Sequence, residues 1–190
     1  MKKIPTLFLK HFENNRYLGV SDKVNPGCEW VLNNEGIATI KYDGLCCLLK
    51  DNKMYRRYIC KSHRDVPQGF IASDKADSFT GDLSGWLELD LSHKDGVSDL
   101  YIEGLVNTFG DIANAEEGTY ELCGPKINGN HEKLKYPVLI KHGDDKIIVK
   151  RTFAGIREYL QNNDVEGIVF YGDDNKMCKI KKRDFGIRRY

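Results

Sequence analysis

Apolar and polar positions alternate in short runs along most of the chain, and clusters of Gly, Asp and Asn separate the runs, which is the pattern of strands joined by turns. Residues 37–50 place two apolar runs on either side of an Asp43-Gly44 turn signal. A polar turn at 51–53 and a third apolar run over 54–60 follow, so the stretch predicts an antiparallel meander. Further strands are expected over 85–91, 99–106, 119–123, 137–141, 146–150, 166–171 and 176–181. Residues 154–162 carry Ile156, Tyr159 and Leu160 at helical spacing, and a weaker helical turn is expected near 112–115. Residues 73–82 read as a long surface loop. Many strands with few helices imply an α+β fold built on antiparallel sheet. No repeat, low-complexity tract or linker interrupts the pattern, so residues 1–190 are expected to form a single domain.

Composition narrows the class. At 190 residues, 41% hydrophobic and 30% charged, the chain has the make-up of an ordinary globular protein. Disordered, collagenous and coiled-coil readings fall away. No apolar run approaches the roughly 18 residues of a membrane span. The first ten residues hold too short an apolar stretch for a secretory signal. The expected location is the cytoplasm, or the nucleus, with no membrane partner. Six cysteines without a Cys-x-x-Cys pair fit buried free thiols in a reducing compartment. Trp30 and Trp86 read as core or surface-hydrophobic residues, and His11, His63, His93 and His131 form no metal-ligand spacing. The net charge of +1 hides a gradient, because residues 176–190 hold seven basic residues against Asp184 alone. A basic segment on an acidic body points to an anionic partner such as phosphate or nucleic acid, with a solvated tail as the alternative. Arg188 and Arg189 are candidate contacts for a nucleic-acid backbone.

Four segments put charge where a buried strand would not choose it. Lys41-Tyr42-Asp43-Gly44 follows an apolar strand, although a surface hairpin would use the same residues. Glu121 interrupts the apolar strand 119–123 just before a turn, with an exposed strand face as the plain alternative. Glu166 and Gly167 precede a strand that reads as buried, and the glycine leaves room for a ligand or another backbone. Lys179 and Lys181 fall on one strand face, where two like charges repel unless something anionic lies between them. A solvated edge that resists aggregation would show the same pattern.

In this order the four segments resemble the covalent nucleotidyltransferase superfamily of ligases and capping enzymes, with Arg57 matching the arginine placed after the nucleophile. The closer resemblance is to the small 5′–3′ RNA ligase family that includes the vertebrate enzyme. It is carried by Lys41-Tyr-Asp-Gly-Leu-Cys-Cys47, Gly81-Asp-Leu-Ser-Gly-Trp86 and Tyr120-Glu-Leu-Cys-Gly-Pro-Lys-Ile-Asn-Gly-Asn130. Leu139-Ile-Lys-His-Gly143, Glu166-Gly-Ile-Val169 and Lys179-Ile-Lys-Lys-Arg-Asp-Phe-Gly-Ile187 complete it. The match spans roughly residues 37–187 and leaves the first 35 uncovered.

The resemblance implies an adenylation-type nucleotidyltransferase domain without a separate oligonucleotide-binding-fold domain. The implied activity joins RNA 5′-phosphate and 3′-hydroxyl ends with ATP, by a monomer. Lys41 would attack the α-phosphorus of ATP, with lysyl-AMP and RNA-adenylate as successive intermediates. Lys179 and Lys181 would keep the nucleophile neutral and stabilise charge on the phosphate. Mg²⁺, or Mn²⁺, is expected on Glu166, with Asp43 reaching a metal-bound water. Glu121 would accept from a ribose hydroxyl and His142 would stack on the base, with Tyr136 and Phe153 as competing aromatics. Lys126, Asn128 and Asn130 could hold phosphates, or simply form a turn. Where relatives carry an acid before the nucleophile this chain has Ile40, so backbone groups at Thr39 and Ile40 are expected to read the base. A DNA ligase or guanylyltransferase-like enzyme, and a catalytically silent nucleotide- or RNA-binding module of the same fold, are the rival readings.

Overall fold

The computed structural model describes residues 4–14, 16–92 and 96–189; His93 lies outside them. In chain order the strands and helices are β1 (Phe8–Glu13), β2 (Arg16–Val24), α1 (Glu29–Leu32), β3 (Ile37–Lys41), β4 (Leu45–Lys50), β5 (Lys53–Cys60), β6 (Ile71–Ala72) and β7 (Leu83–Glu88). They continue with α2 (Ser98–Phe109), β8 (Gly118–Cys123), β9 (Val138–Lys141), β10 (Lys146–Ile147), α3 (Phe153–Asn162), β11 (Gly167–Tyr171) and β12 (Met177–Lys181). Three-residue to four-residue helical turns occupy Ile112–Asn114, Asp173–Asn175 and Lys182–Phe185. The architecture is mixed α and β, with antiparallel sheets and few helices. Among the described residues, no helix is long and apolar enough to cross a membrane.

The described residues divide into two compact units. Residues 43–142 form one, here called the inserted unit; the described residues of 4–42 and 143–190 form the other, the split unit. The split unit holds the β1–β2 hairpin and a four-stranded sheet in the order β10-β3-β11-β12. One face of that sheet carries Ala38, Ile168, Phe170, Cys178 and Ile180 into a core completed by Ile156 and Leu160 of α3. Helix α3 starts where the Thr152 side chain accepts from the Gly155 N–H at 3.1 Å, the usual way of satisfying a first-turn donor. The free edge of β12 is covered by the first described residues. Leu7 N–H donates to the Lys179 carbonyl at 2.7 Å and Lys179 N–H to the Pro5 carbonyl at 2.9 Å. The solvated-edge alternative for Lys179 and Lys181 is therefore not what the chain adopts.

The inserted unit is a six-stranded antiparallel sheet in the order β6-β7-β5-β4-β8-β9. Tyr101 and Leu105 of α2 pack on one of its faces against Leu49, Met54, Tyr120 and Leu122. Three expectations change here. The run 99–106 is not a strand: its buried residues Ser98, Tyr101, Gly104 and Leu105 fall at helical spacing, within α2. The meander is only half correct. Strands β4 and β5 do form a hairpin, turning through Asp51 and Asn52 at φ 52° and 53°, but β3 pairs with β10 and β11 instead of β4. Asp43-Gly44 is thus no hairpin turn. Gly44 is needed for room, since a Cβ there would stand 2.2 Å from the Leu122 carbonyl. Finally, β10 ends at Ile147, and Ile148 is exposed. The first 35 residues, unread by periodicity, supply β1, β2 and α1.

The thiol expectation stands: all six cysteines are free, and only Cys46 is less than fully buried. Trp30 is a core residue, its ring N–H donating to the Gly27 carbonyl at 3.1 Å.

Candidate functional site

In the split unit, register builds the site. Lys41 on β3 pairs with Gly167 on β11, which pairs with Lys181 on β12, so the three lie in one row across the sheet. Two residues along each strand, Thr39, Val169 and Lys179 form the next row. Side chains of paired residues share a face. The face opposite the core therefore carries Lys41, Lys179 and Lys181 together, while Ile40, Ile168 and Ile180 turn to the core side. Gly167 separates the two lysines of its row without a side chain of its own. A Cβ there would stand 2.2 Å from the Ile180 carbonyl, so the glycine admits the neighbouring backbone, one of the two uses expected of it.

Glu166, one residue before this row, receives both lysines. Its two carboxylate oxygens accept separately from Lys41 Nζ and Lys181 Nζ, and Lys41 also donates to the Tyr42 carbonyl at 3.0 Å. The side chains are mostly shielded, at 18% exposure for Lys41, 14% for Glu166 and 17% for Lys181, so solvent screens this triad only weakly. Burial alone would raise the Glu166 carboxyl, but the two ammonium groups outweigh it and hold it below its ordinary value. Lys179 feels the opposite balance. Burial, and then the charges of Lys181 and Lys41, bring it down to about 8. Three amines stand against two carboxylates, Glu166 and the buried Asp184, which still leaves a surplus of positive charge in a shielded place, the electrostatic requirement for holding a phosphate.

Thr39 and Ile40 have internal partners. Thr39 is buried, its hydroxyl donating to the Val169 carbonyl at 3.2 Å, and the Ile40 N–H donates to the Asp145 carbonyl at 2.9 Å. Phe153 is committed to the core, edge-on to Phe8 at 5.0 Å and Phe185 at 5.1 Å, which removes it as a stacking aromatic. The basic segment is not a solvated tail either. Lys182 and Asp184 are buried, and Asp184 accepts from the Tyr17 hydroxyl and the Lys181 N–H. Arg189 pairs with Asp164 at 3.4 Å, whereas Arg188 is exposed. Of the two arginines, only Arg188 keeps the form of a surface contact.

In the inserted unit, the sheet face opposite its core carries Arg57, Cys46 and Glu121. Cys46 pairs with Glu121, and Arg57 pairs with Trp86, stacking its guanidinium 5.1 Å from the indole centre. Arg57 also donates to the Ser73 hydroxyl at 2.9 Å, and burial lowers it from its ordinary value. Glu121 is 8% exposed, which excludes the exposed-face reading. One of its oxygens accepts from the Gly44 N–H at 3.0 Å and the other meets His142 Nε2 at 2.9 Å. His142 Nδ1 lies 3.0 Å from the Thr119 hydroxyl. Both ring nitrogens are thus engaged at the ring edge, and the faces of the imidazole remain its means of stacking. Asp43 accepts from Asn128 Nδ2 at 2.9 Å. Lys126, Asn128 and Asn130 have φ of 67°, 43° and 50°, and Asn130 bonds both ways to the Leu134 backbone, so this segment is the turn its composition allows. Tyr136 is 65% exposed.

The sequence reading missed Cys46 as a site residue. Its signal was parity: Cys47 and Leu49 go to the core, so Cys46 must point the other way, onto the face of Glu121.

Compared with known proteins, the chain matches no family model, and no curated protein is significantly similar to it.

Proposed function

We propose that the protein is an ATP-dependent RNA ligase that joins 5′-phosphate and 3′-hydroxyl ends through lysyl-AMP and RNA-adenylate. One observation carries the reading: Lys41, Lys179 and Lys181 share a shielded sheet face, two of them donating to Glu166, with positive charge in surplus. A structural ion pair needs one amine, and a solvated face would leave all three in water. A cluster with surplus positive charge next to a candidate nucleophile is suited to attack on a phosphate.

An ammonium cannot attack phosphorus. Lys41 therefore has to leave Glu166 and lose its proton before its Nζ forms the bond to the α-phosphorus of ATP and pyrophosphate departs. Lys179 and Lys181 then stand on the face where charge accumulates on the phosphoryl oxygens, and preorganised cations in a shielded site are worth most in the transition state. The same groups serve transfer of AMP to an RNA 5′-phosphate, whose adenylate the RNA 3′-hydroxyl displaces, each step being an in-line displacement.

Glu166 is the residue to hold Mg²⁺ or Mn²⁺. Its carboxyl is kept ionised by its neighbours and offers a hard oxygen donor, and such ions take only one or two protein carboxylates, so the residues fit. The ion, when bound, supplies charge neutralisation on the phosphates. The resemblance further gives Asp43 a metal-bound water, Glu121 a ribose hydroxyl and His142 the base, and matches Arg57 to the arginine that follows the nucleophile.

The test is incubation with Mg²⁺ and α-labelled ATP or GTP, followed by denaturing electrophoresis, intact mass and then RNA or DNA with defined ends. An AMP adduct on Lys41, absent from a folded Lys41→Ala variant, and joining of RNA ends are the expected results. Label retained by Lys41→Ala overturns the nucleophile. A GMP adduct or joining of DNA alone moves the assignment to the guanylyltransferase or DNA ligase class, and no adduct from nucleotide-free folded protein leaves a binding module.

A further inference from the structure

The polar face of the inserted unit brings together three donors of different chemistry. The Cys46 sulfur, a Glu121 oxygen and a His142 ring nitrogen all lie within 4.8 Å of one another. Strand pairing fixes them: Cys46 on β4 is opposite Glu121 on β8, and His142, just after β9, donates its backbone N–H to the Thr119 carbonyl at 3.0 Å. Cys46 and Glu121 lie on paired strands of one sheet, and His142 opens the turn after β9, where its backbone bond to β8 holds it.

The surrounding hydrogen bonds orient these groups as a metal site requires. A ligating histidine uses one ring nitrogen for the metal and donates the other N–H to an oxygen, which fixes ring and tautomer. His142 Nδ1 faces the Thr119 hydroxyl at 3.0 Å, and Nε2 faces the Glu121 carboxylate at 2.9 Å. The second Glu121 oxygen is held by the Gly44 N–H at 3.0 Å, leaving the first for a cation. Around zinc, ligands at about 2.0–2.3 Å from the ion stand roughly 3.3–3.7 Å apart. The His142–Glu121 pair at 2.9 Å has to open slightly to admit the ion, and no separation exceeds 4.8 Å, so none has to close by much more than about an ångström. The side chains of His142 and Glu121 are 18% and 11% exposed, shielded yet reachable.

From this geometry we infer that Cys46, Glu121 and His142 form a binding site for a thiophilic divalent cation of the Zn²⁺ type. Thiolate and carboxylate together balance the two positive charges, and the sulfur selects zinc over Mg²⁺. Three protein ligands leave the fourth position of a tetrahedral ion open to water or a ligand. Binding transfers the Cys46 thiol proton to solvent. Glu166 is not part of this site, but Glu121 and His142 are also the residues given above to the ribose and the base; the inference goes beyond the proposed ligation, and binding of the metal to nucleotide-free protein does not depend on it.

The test uses the full, metal-free, nucleotide-free chain. Titration with Co²⁺ is expected to give one ion per chain and a thiolate-to-cobalt absorption band in the near ultraviolet, which Zn²⁺ discharges. Cys46→Ser removes the band, Cys60→Ser keeps it, and His142→Gln weakens Co²⁺ binding at least tenfold, with folding of each variant verified by circular dichroism. In the unaltered chain, Zn²⁺ protects Cys46 from alkylation, read by peptide mass spectrometry. No band at stoichiometric Co²⁺, a band that survives Cys46→Ser, or equal alkylation of Cys46 with and without Zn²⁺ overturns the site.

Discussion

Lys179 shares a sheet face with Lys41 and Lys181, but the two oxygens of Glu166 go to those neighbours. Its ammonium is buried beside two like charges and falls from 10.5 to about 8. The unfolded chain therefore holds that proton more tightly than the folded one. The penalty is present in full below pH 8, and stability rises as pH climbs from about 8 towards 10.5 and the folded amine is already neutral. At 1.36 kcal/mol per unit, the depression corresponds to at most about 3 kcal/mol. Lys179→Met is expected to be more stable than the unaltered protein by up to that amount at pH 7, with the gap closing near pH 10.5, as urea unfolding at both pH values would record. A variant less stable at pH 7 would mean that the ammonium is compensated in the folded protein. Glu166 works with the opposite sign, because its depressed carboxyl contributes stability that is lost as pH falls through its folded value. On the proposed function, a bound phosphate would relieve the conflict at Lys179, and the same residue would link a stability cost to anion binding.

At the level of elements, the pairing of β11 with β12 sets the spacing of the lysines. Gly167 is not there for unusual backbone angles, because it pairs regularly on both sides. It is there because the Ile180 carbonyl stands 2.2 Å from where a Cβ would be. Gly167→Ala gains strand propensity worth less than about 1 kcal/mol. It forces β12 outward at a typical overpacking cost of about 1–3 kcal/mol. The expected net result is destabilisation in thermal unfolding, together with loss of nucleotide labelling larger than the stability change explains; a neutral substitution would show that β12 yields freely. Strand β12 was legible because period 2 matched burial on one face, and α3 because Ile156 and Leu160 fall one turn apart. The α2 segment was not, since its short apolar runs fit either period until Leu122 and Tyr120 selected a helical face. The common face of Lys179 and Lys181 could be read from alternation alone. That Lys41 joins their face could not, because register between β3 and β11 is a long-range choice. The same holds for β3 and β4, where a local turn signal lost to pairing with residues far along the chain.

Each unit, taken as a whole, closes a core from its own residues. The cluster of the inserted unit draws only on positions between Leu45 and Leu139, a continuous stretch. The split unit combines Leu7, Phe8 and Trp30 with Ile156, Ile168 and Ile180, from both sides of the insertion. Residues 43–142 expressed alone are therefore expected to fold, with a cooperative urea transition and dispersed amide resonances, whereas residues 143–190 alone are not. A fragment 43–142 without a cooperative transition would contradict a self-sufficient core.

That discontinuity also sets a timetable on the ribosome, where chains fold as they emerge. Residues 43–142 are complete while β11 and β12 are still untranslated, and Leu7, Phe8 and β3 must wait for them. Lys41 is made 125 residues before Glu166, with Lys179 and Lys181 later still, so a nascent chain carries its candidate nucleophile before the groups proposed to activate it.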